Sequence, residues 1–196
     1  GLKTLIGFFS NEIVEKIIKV YGKPDTIVAS NIFTHIENPK EFVLNIKKLI
    51  EENGMFILEV EYLSKFIKNI QFERFYFDRP YYYSLNSIKK LFESVNMSLV
   101  DIEFINVHGG SIRCFIKNSE NIKPSQLINE IINNEKKELT CDMFEIFEKK
   151  ISKEVENFKK ELINFHELGK KVIGYGAPAR VATITNFAKI NKNLIK

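Results

Sequence analysis

Three stretches of the chain gather side chains able to move protons or hold anions. The first is Phe72-Glu-Arg-Phe-Tyr-Phe-Asp-Arg-Pro-Tyr-Tyr-Tyr-Ser-Leu85, which sets a phenol (Tyr76), a carboxylate (Asp78) and a guanidinium (Arg79) within four residues. Two readings are open: a loop salt bridge packed among aromatic rings, or a reactive loop whose rings wall a ring-shaped ligand. The second stretch is Asn31-Ile-Phe-Thr-His35, placed just beyond an apolar run at Thr26–Ala29. A histidine at the carboxyl end of a parallel strand stands where ligands bind, yet it serves equally as a structural hydrogen-bonder. The third is Gly174-Tyr-Gly-Ala-Pro-Ala-Arg180, where a predicted strand at Lys171–Gly174 gives way to a helix rich in small residues. Backbone N–H groups and the helix dipole favour a phosphate there, and Arg180 adds a cation one turn in. Ala179 stands where a third glycine would complete a dinucleotide fingerprint, so a plain tight turn is the competing reading.

The elements that must position these groups are punctuated clearly. Apolar residues from Phe8 to Tyr21 recur at helical spacing behind Ser10, a predicted N-cap. Gly22-Lys-Pro-Asp25 is a break, and Thr26–Ala29 reads as a strand buried in a parallel sheet. Asn38, Pro39 and Glu41 carry an N-cap, a first-turn proline and a capping-box acid, and Gly54 is the expected left-handed terminator. Met55–Val60 is the next strand, completing a βαβ unit. A helix capped by Ser84 runs to about Val95. Two β-type runs, Leu99–Val107 and Ser111–Lys117, join through His108-Gly-Gly110, a hairpin signal. From Pro124 to Leu168 the pattern is helical, with Phe144, Phe147, Ile151, Val155, Phe158, Leu162 and Phe165 in a heptad-like seam. That seam predicts a long helix packed on its own protein, with a coiled-coil dimer as the alternative.

Hydrophobic content of 44% with 28% charged residues is that of a folded, water-facing protein. The net charge of +4 comes from lysines interleaved with glutamates, which reads as a solvated face and not as a nucleic-acid surface. Cys114 and Cys141 are too few for a zinc site or a disulfide framework, so no metal and a reduced, cytoplasmic setting are expected. No apolar run reaches bilayer-spanning length, so no membrane association is expected.

Taken in order, the motifs resemble the S-adenosylmethionine-dependent C-methyltransferases that act on dTDP-linked 4-keto deoxysugars. The resemblance rests on Asn31-Ile-Phe-Thr-His35-Ile-Glu-Asn-Pro39, the ungapped Phe72–Leu85 loop, His108-Gly-Gly-Ser-Ile-Arg113, and Gly174 through Thr183 to Asn186. It implies an α/β fold: the second half of a class I, Rossmann-like methyltransferase sheet with a terminal antiparallel hairpin (residues 1–118). A helical segment (119–168) and the start of a second Rossmann-like unit (169–196) follow. It implies donor contacts from Asn31, Ile32 and His35, and sugar-nucleotide contacts from His108, Gly109, Gly110, Ser111, Arg113, Gly174, Tyr175, Gly176, Ala177 and Arg180. Catalysis falls to Tyr76, His35, Asp78 and Arg79: a base removes the proton beside the ketone, and the enolate takes the methyl group.

The chain departs from the family pattern at this step. Where the family loop reads Tyr-His-Glu-His, this one reads Tyr76-Phe77-Asp78-Arg79. Arginine stays protonated and cannot be the base, so Tyr76 or His35 must serve, or the substrate differs, or catalysis is lost. The Gly-x-Gly donor loop and the family's zinc module are not in these residues. A fragment or split subunit is therefore expected, self-associating or paired with a chain that carries the N-terminal part. The alternatives are a non-catalytic module that binds a sugar nucleotide or diphosphate, and a structural remnant that needs a partner chain.

Overall fold

The computed structural model describes residues 1, 3–120 and 122–196. Residue 121, within the helical segment expected over 119–168, lies outside the described residues. The chain divides into two compact units, one comprising residues 1–63 and 80–136, the other residues 64–79 and 137–196.

In the first unit α1 (Asn11–Tyr21) starts at Ser10, whose side chain accepts the Ile13 N–H. It stops at Gly22, whose φ of 78° belongs to the left-handed region. Strand β1 (Thr26–Ser30) follows, then α2 (Pro39–Leu49) and β2 (Met55–Glu61). Asn38 caps α2 by accepting the Glu41 N–H, while the Glu41 carboxylate takes the Asn38 side-chain amide and so steadies the cap itself. After α3 (Leu63–Lys68), which from residue 64 on belongs to the second unit, and α4 (Leu85–Glu93), β3 (Ser98–Ile105) and β4 (Ser111–Lys117) form a hairpin. The sheet order is β1-β2-β4-β3, with β1 and β2 parallel and the other pairs antiparallel. This is an α/β unit with a mixed sheet.

One face of that sheet is the core. Phe56, Leu58, Ile112 and Ile116 are wholly buried there, in one cluster with Val43 and Ile46 of α2 and Ile88 and Phe92 of α4. Helix α5 (Gln126–Glu138) adds Ile128 and Ile132 to it. Each such side chain contributes roughly 1.5–3 kcal/mol by leaving water.

The structure corrects several expectations. The left-handed residue after α2 is Asn53, with φ 64°, and not Gly54. Gly54 is there for room: a Cβ would stand 2.7 Å from Ile50 Cγ1 and 2.9 Å from the carbonyl oxygens of Asp25 and Glu51. Strand β1 pairs in parallel as expected but is not buried on both faces, because it is a sheet edge and Val28 is 65% exposed.

The helical stretch expected from Pro124 to Leu168 is not continuous. α5 ends at Glu138, and α6 (Cys141–Glu167) restarts at Thr140, whose side chain accepts the Met143 N–H. Of the seam on α6, Phe147, Ile151, Val155 and Leu162 are buried, whereas Phe144, Phe158 and Phe165 are exposed. Lys171–Gly174 is not a strand. It makes only a short pair of hydrogen bonds, from Gly174 N–H to the Lys196 carbonyl and from Lys196 N–H to the Val172 carbonyl. The helix expected beyond it is present as α7 (Ala179–Phe187).

Candidate functional site

In the first unit the site begins where β1 ends. Asn31 has a φ of 56°, and its N–H donates to the Glu59 carbonyl at 2.9 Å. That turn lets its side-chain amide donate to the Glu59 carboxylate (3.2 Å) and to Ser30 Oγ (3.3 Å), while Asn31 Oδ1 is buried without a partner. A buried acceptor left unpaired costs stability, so an incoming hydrogen-bond donor would be received there. Ile32 is half-exposed, and His35 lies exposed at the end of a 3₁₀ turn, Phe33–His35, whose Phe33 is buried in the core.

A row of polar side chains crosses the sheet at this level. Ser30, Glu59, Arg113 and Glu103 are register partners on β1, β2, β4 and β3. Ser30 Oγ donates to Glu59 Oε1 at 3.2 Å. Arg113 donates to Glu59 Oε2 at 3.0 Å and to Glu103 Oε2 at 2.8 Å. Burial works to raise the Glu59 pKa, but hydrogen bonds from Arg113, Ser30 and Asn31 outweigh it and hold the carboxyl below its ordinary value. Bonding to the Glu59 carboxylate raises the Arg113 pKa in turn.

The hairpin turn His108-Gly109-Gly110 holds three consecutive left-handed residues, with φ of 49°, 78° and 119°. Gly110 donates its N–H to the Val107 carbonyl, and its own carbonyl accepts the Tyr62 N–H. Ser111 is buried and donates to the Val107 carbonyl at 3.2 Å. These glycines thus tie the hairpin to the end of β2.

Tyr62 leads to a feature the sequence reading missed. Its hydroxyl donates to the buried Glu135 carboxylate at 2.8 Å, and that carboxylate also accepts the N–H groups of Leu85 (2.6 Å) and Asn86 (2.9 Å). A glutamate on α5 therefore caps α4 alongside Ser84, anchoring the exit of the aromatic loop. The loop's last aromatic, Tyr83, stacks on Phe33 at 4.7 Å, with its hydroxyl buried and unpaired. Burial raises its pKa.

Tyr76, Asp78 and Arg79 belong to the second unit. The Arg79 guanidinium lies over the Tyr76 ring, 4.7 Å from its centre, and Arg79 N–H donates to the Tyr76 carbonyl at 3.3 Å. Asp78 and Phe77 are exposed. The other rings of the stretch divide. Phe75 packs edge-on to Phe66 and Phe147, and Phe72 packs against Phe187 of α7. The aromatic density is thus partly a core plug, while Phe77 is 94% exposed. Gly174, Tyr175, Gly176, Ala177 and Arg180 lie in the same unit as Tyr76. Gly176 takes a φ of 84°, Tyr175 is fully exposed, and α7 starts at Pro178 with no side-chain cap. The structure thus brings Tyr76, Asp78, Arg79 and the glycine turn into one unit, and Asn31, Ile32, His35 and the His108–Arg113 hairpin into the other.

Comparison with known proteins bears on what this arrangement serves. Residues 8–102 match a family model described as a methyltransferase domain, and residues 106–196 match one described as the C-methyltransferase C-terminal domain. The C-methyltransferase NovU of Streptomyces niveus is 28% identical over 188 residues, covering 92% of this chain and 44% of its own length. The chain thus spans less than half of that relative. Among the described residues no helix is long and apolar enough to cross a membrane.

Proposed function

We propose that this chain forms the substrate side of an S-adenosylmethionine-dependent C-methyltransferase acting beside the ketone of a nucleotide-linked sugar. The observation that carries the proposal is the order of its motifs across two segments that match methyltransferase models, the second described as the C-methyltransferase C-terminal domain. In this reading the mixed sheet is the second half of a Rossmann-like methyltransferase sheet. The donor loop comes from a segment outside these residues, consistent with a relative more than twice as long.

The donor, when bound, supplies an electrophilic methyl group on sulfur. Asn31 and Ile32 fit a place in its pocket: Oδ1 of Asn31 is a buried acceptor waiting for a donor, and Ile32 offers exposed apolar surface. On the sugar side a base takes the proton from the carbon next to the ketone, and a positive group steadies the oxyanion that forms. Arg79 cannot be the base, but a permanent cation fixed against Tyr76 suits the oxyanion. Tyr76 or His35 is then the base. A binding module without catalysis is the second reading, favoured by one observation, the arginine at position 79 where the family loop has a histidine.

Calorimetric titration tests the division of labour. The 196-residue chain should bind a dTDP-linked 4-keto sugar, and bind S-adenosylmethionine weakly or not at all, because the loop contacts that hold the donor are elsewhere. Low-micromolar donor binding with no sugar-nucleotide binding would contradict the proposal.

A further inference from the structure

His35 is the exposed end of a three-residue turn, Phe33–His35. A 3₁₀ turn this short has little rigidity of its own, so its side chains stand only as firmly as the residues around them are held.

Both flanks of His35 are held by the exit of the aromatic loop. Two residues before it, Phe33 is wholly buried, and its ring stacks on Tyr83 with centres 4.7 Å apart and planes 25° from parallel. Offset stacking is a geometry aromatic pairs favour, and it fixes a ring's orientation as well as its depth. Phe42 and Phe92 close the other sides of Phe33 at 5.4 and 6.4 Å. Two residues after His35, the Glu37 carbonyl accepts the Tyr81 hydroxyl at 3.4 Å. Tyr83 is itself fixed. It is only 5% exposed, its carbonyl accepts the Leu63 N–H at 3.0 Å beyond the end of β2, and the next residue, Ser84, caps α4. All these groups belong to the first unit, whereas residues 72–79 of the same loop belong to the second.

We propose that Tyr83, together with Tyr81, is a positioning residue for His35: the stacked ring sets Phe33, the second phenol sets Glu37, and the imidazole between them is thereby placed. The role rests on the function proposed above, in which His35 serves at the donor pocket or as the base. Tyr83 acts through Phe33 and not as a proton carrier. Burial, with Tyr81 beside it, raises its pKa, so the phenol stays neutral and brings no charge to the turn. Its hydroxyl is buried without a partner, which leaves the ring as the part that holds Phe33.

The chain has three histidines, so their ring signals in a proton–carbon NMR spectrum are few, and His35→Ala assigns the one in question. Tyr83→Leu, which removes the stacking ring, should displace or broaden the His35 signal and leave those of His108 and His166 in place. In deuterium oxide with a dTDP-linked 4-keto sugar, it should also slow exchange of the proton next to the ketone by roughly tenfold or more, as misplacing a reacting group does. Tyr83→Phe keeps the ring. Its His35 signal should match that of the parent, and its melting temperature should equal or exceed the parent's, because a buried unpaired hydroxyl is gone. An unmoved His35 signal in Tyr83→Leu would overturn the proposal. So would displacement of all three histidine signals with a lowered melting temperature, which marks a general structural role. A displaced signal in Tyr83→Phe would overturn it too, since stacking would then not be the cause. If Tyr83→Leu does not fold, Tyr81→Phe decides: it should displace the His35 signal by releasing Glu37, and a parental signal would count against the proposal. The two readings fail separately. A His35 signal displaced by Tyr83→Leu in a chain that exchanges no proton would leave the positioning standing and overturn C-methyl transfer. Exchange at the parental rate with that signal displaced would do the reverse.

Discussion

Glu59 shows how single side chains set up the polar edge of the first unit where β1 ends. Its carboxylate collects Ser30, Asn31 and Arg113, which turns the free oxygen of Asn31 away from the row. Because its folded-state pKa lies below the ordinary value, its stabilisation is fully present above the unfolded pKa of about 4.3 and fades as pH falls through the folded one. Glu59→Gln should therefore be less stable than the parent at pH 7, with the difference shrinking toward pH 3 in urea unfolding. A gap that stays constant with pH would contradict the assignment. At the residues proposed for catalysis, Tyr76→Phe or His35→Ala should slow proton removal at least about a hundredfold, whichever is the base. Arg79→His should keep or raise activity if Arg79 only replaces a base, and abolish it if the guanidinium holds the oxyanion. Presteady-state rates with saturating sugar nucleotide distinguish these outcomes.

The elements were legible in the sequence wherever their signal is local. Ser10, Asn38 and Ser84 each accept the N–H three residues on, as capping residues do. The hairpin at His108–Gly110 was equally plain, since paired glycines supply its left-handed turn. What escaped depends on distant neighbours. Asn53 and Gly54 are both tolerant of a positive φ, and only the approach of Ile50 and Asp25 shows which residue needs which property. Gly54→Ala should accordingly cost more than 1 kcal/mol, in order of magnitude, through overpacking. Asn53→Gly should change stability by no more than about 1 kcal/mol, since glycine adopts that φ freely. Equal effects in chemical denaturation would refute the distinction. Glu135 was invisible because a glutamate in a helix of lysines and glutamates reads as surface until Leu85, Asn86 and Tyr62 are found around it. Removing it with Glu135→Ala should cost roughly 2–3 kcal/mol, as three donors, two of them buried, lose their acceptor.

At the scale of the whole molecule the unfinished features lie on the first unit. Among the described residues strand β1 pairs only with β2, and beside the polar row an apolar one crosses the sheet through Val28, Ile57 and Phe115. An open edge next to exposed apolar surface invites pairing. We expect the chain to self-associate or take a partner there, and Val28→Lys to reduce association in light scattering. A monodisperse monomer at high concentration would argue against it. The candidate site was legible as a list of residues because its motifs are contiguous. Its division between two units was not, because residues 64–79 pack with the C-terminal part of the chain instead of with their sequence neighbours. The central claim, that these residues activate a carbon beside a sugar ketone, can be measured without the methyl donor. Incubated in deuterium oxide with a dTDP-linked 4-keto sugar, the chain should accelerate exchange of the proton next to the ketone, followed by NMR or mass. Tyr76→Phe or His35→Ala should abolish the acceleration. Sugar nucleotide that binds but exchanges no faster than in buffer would contradict the account and leave a binding module.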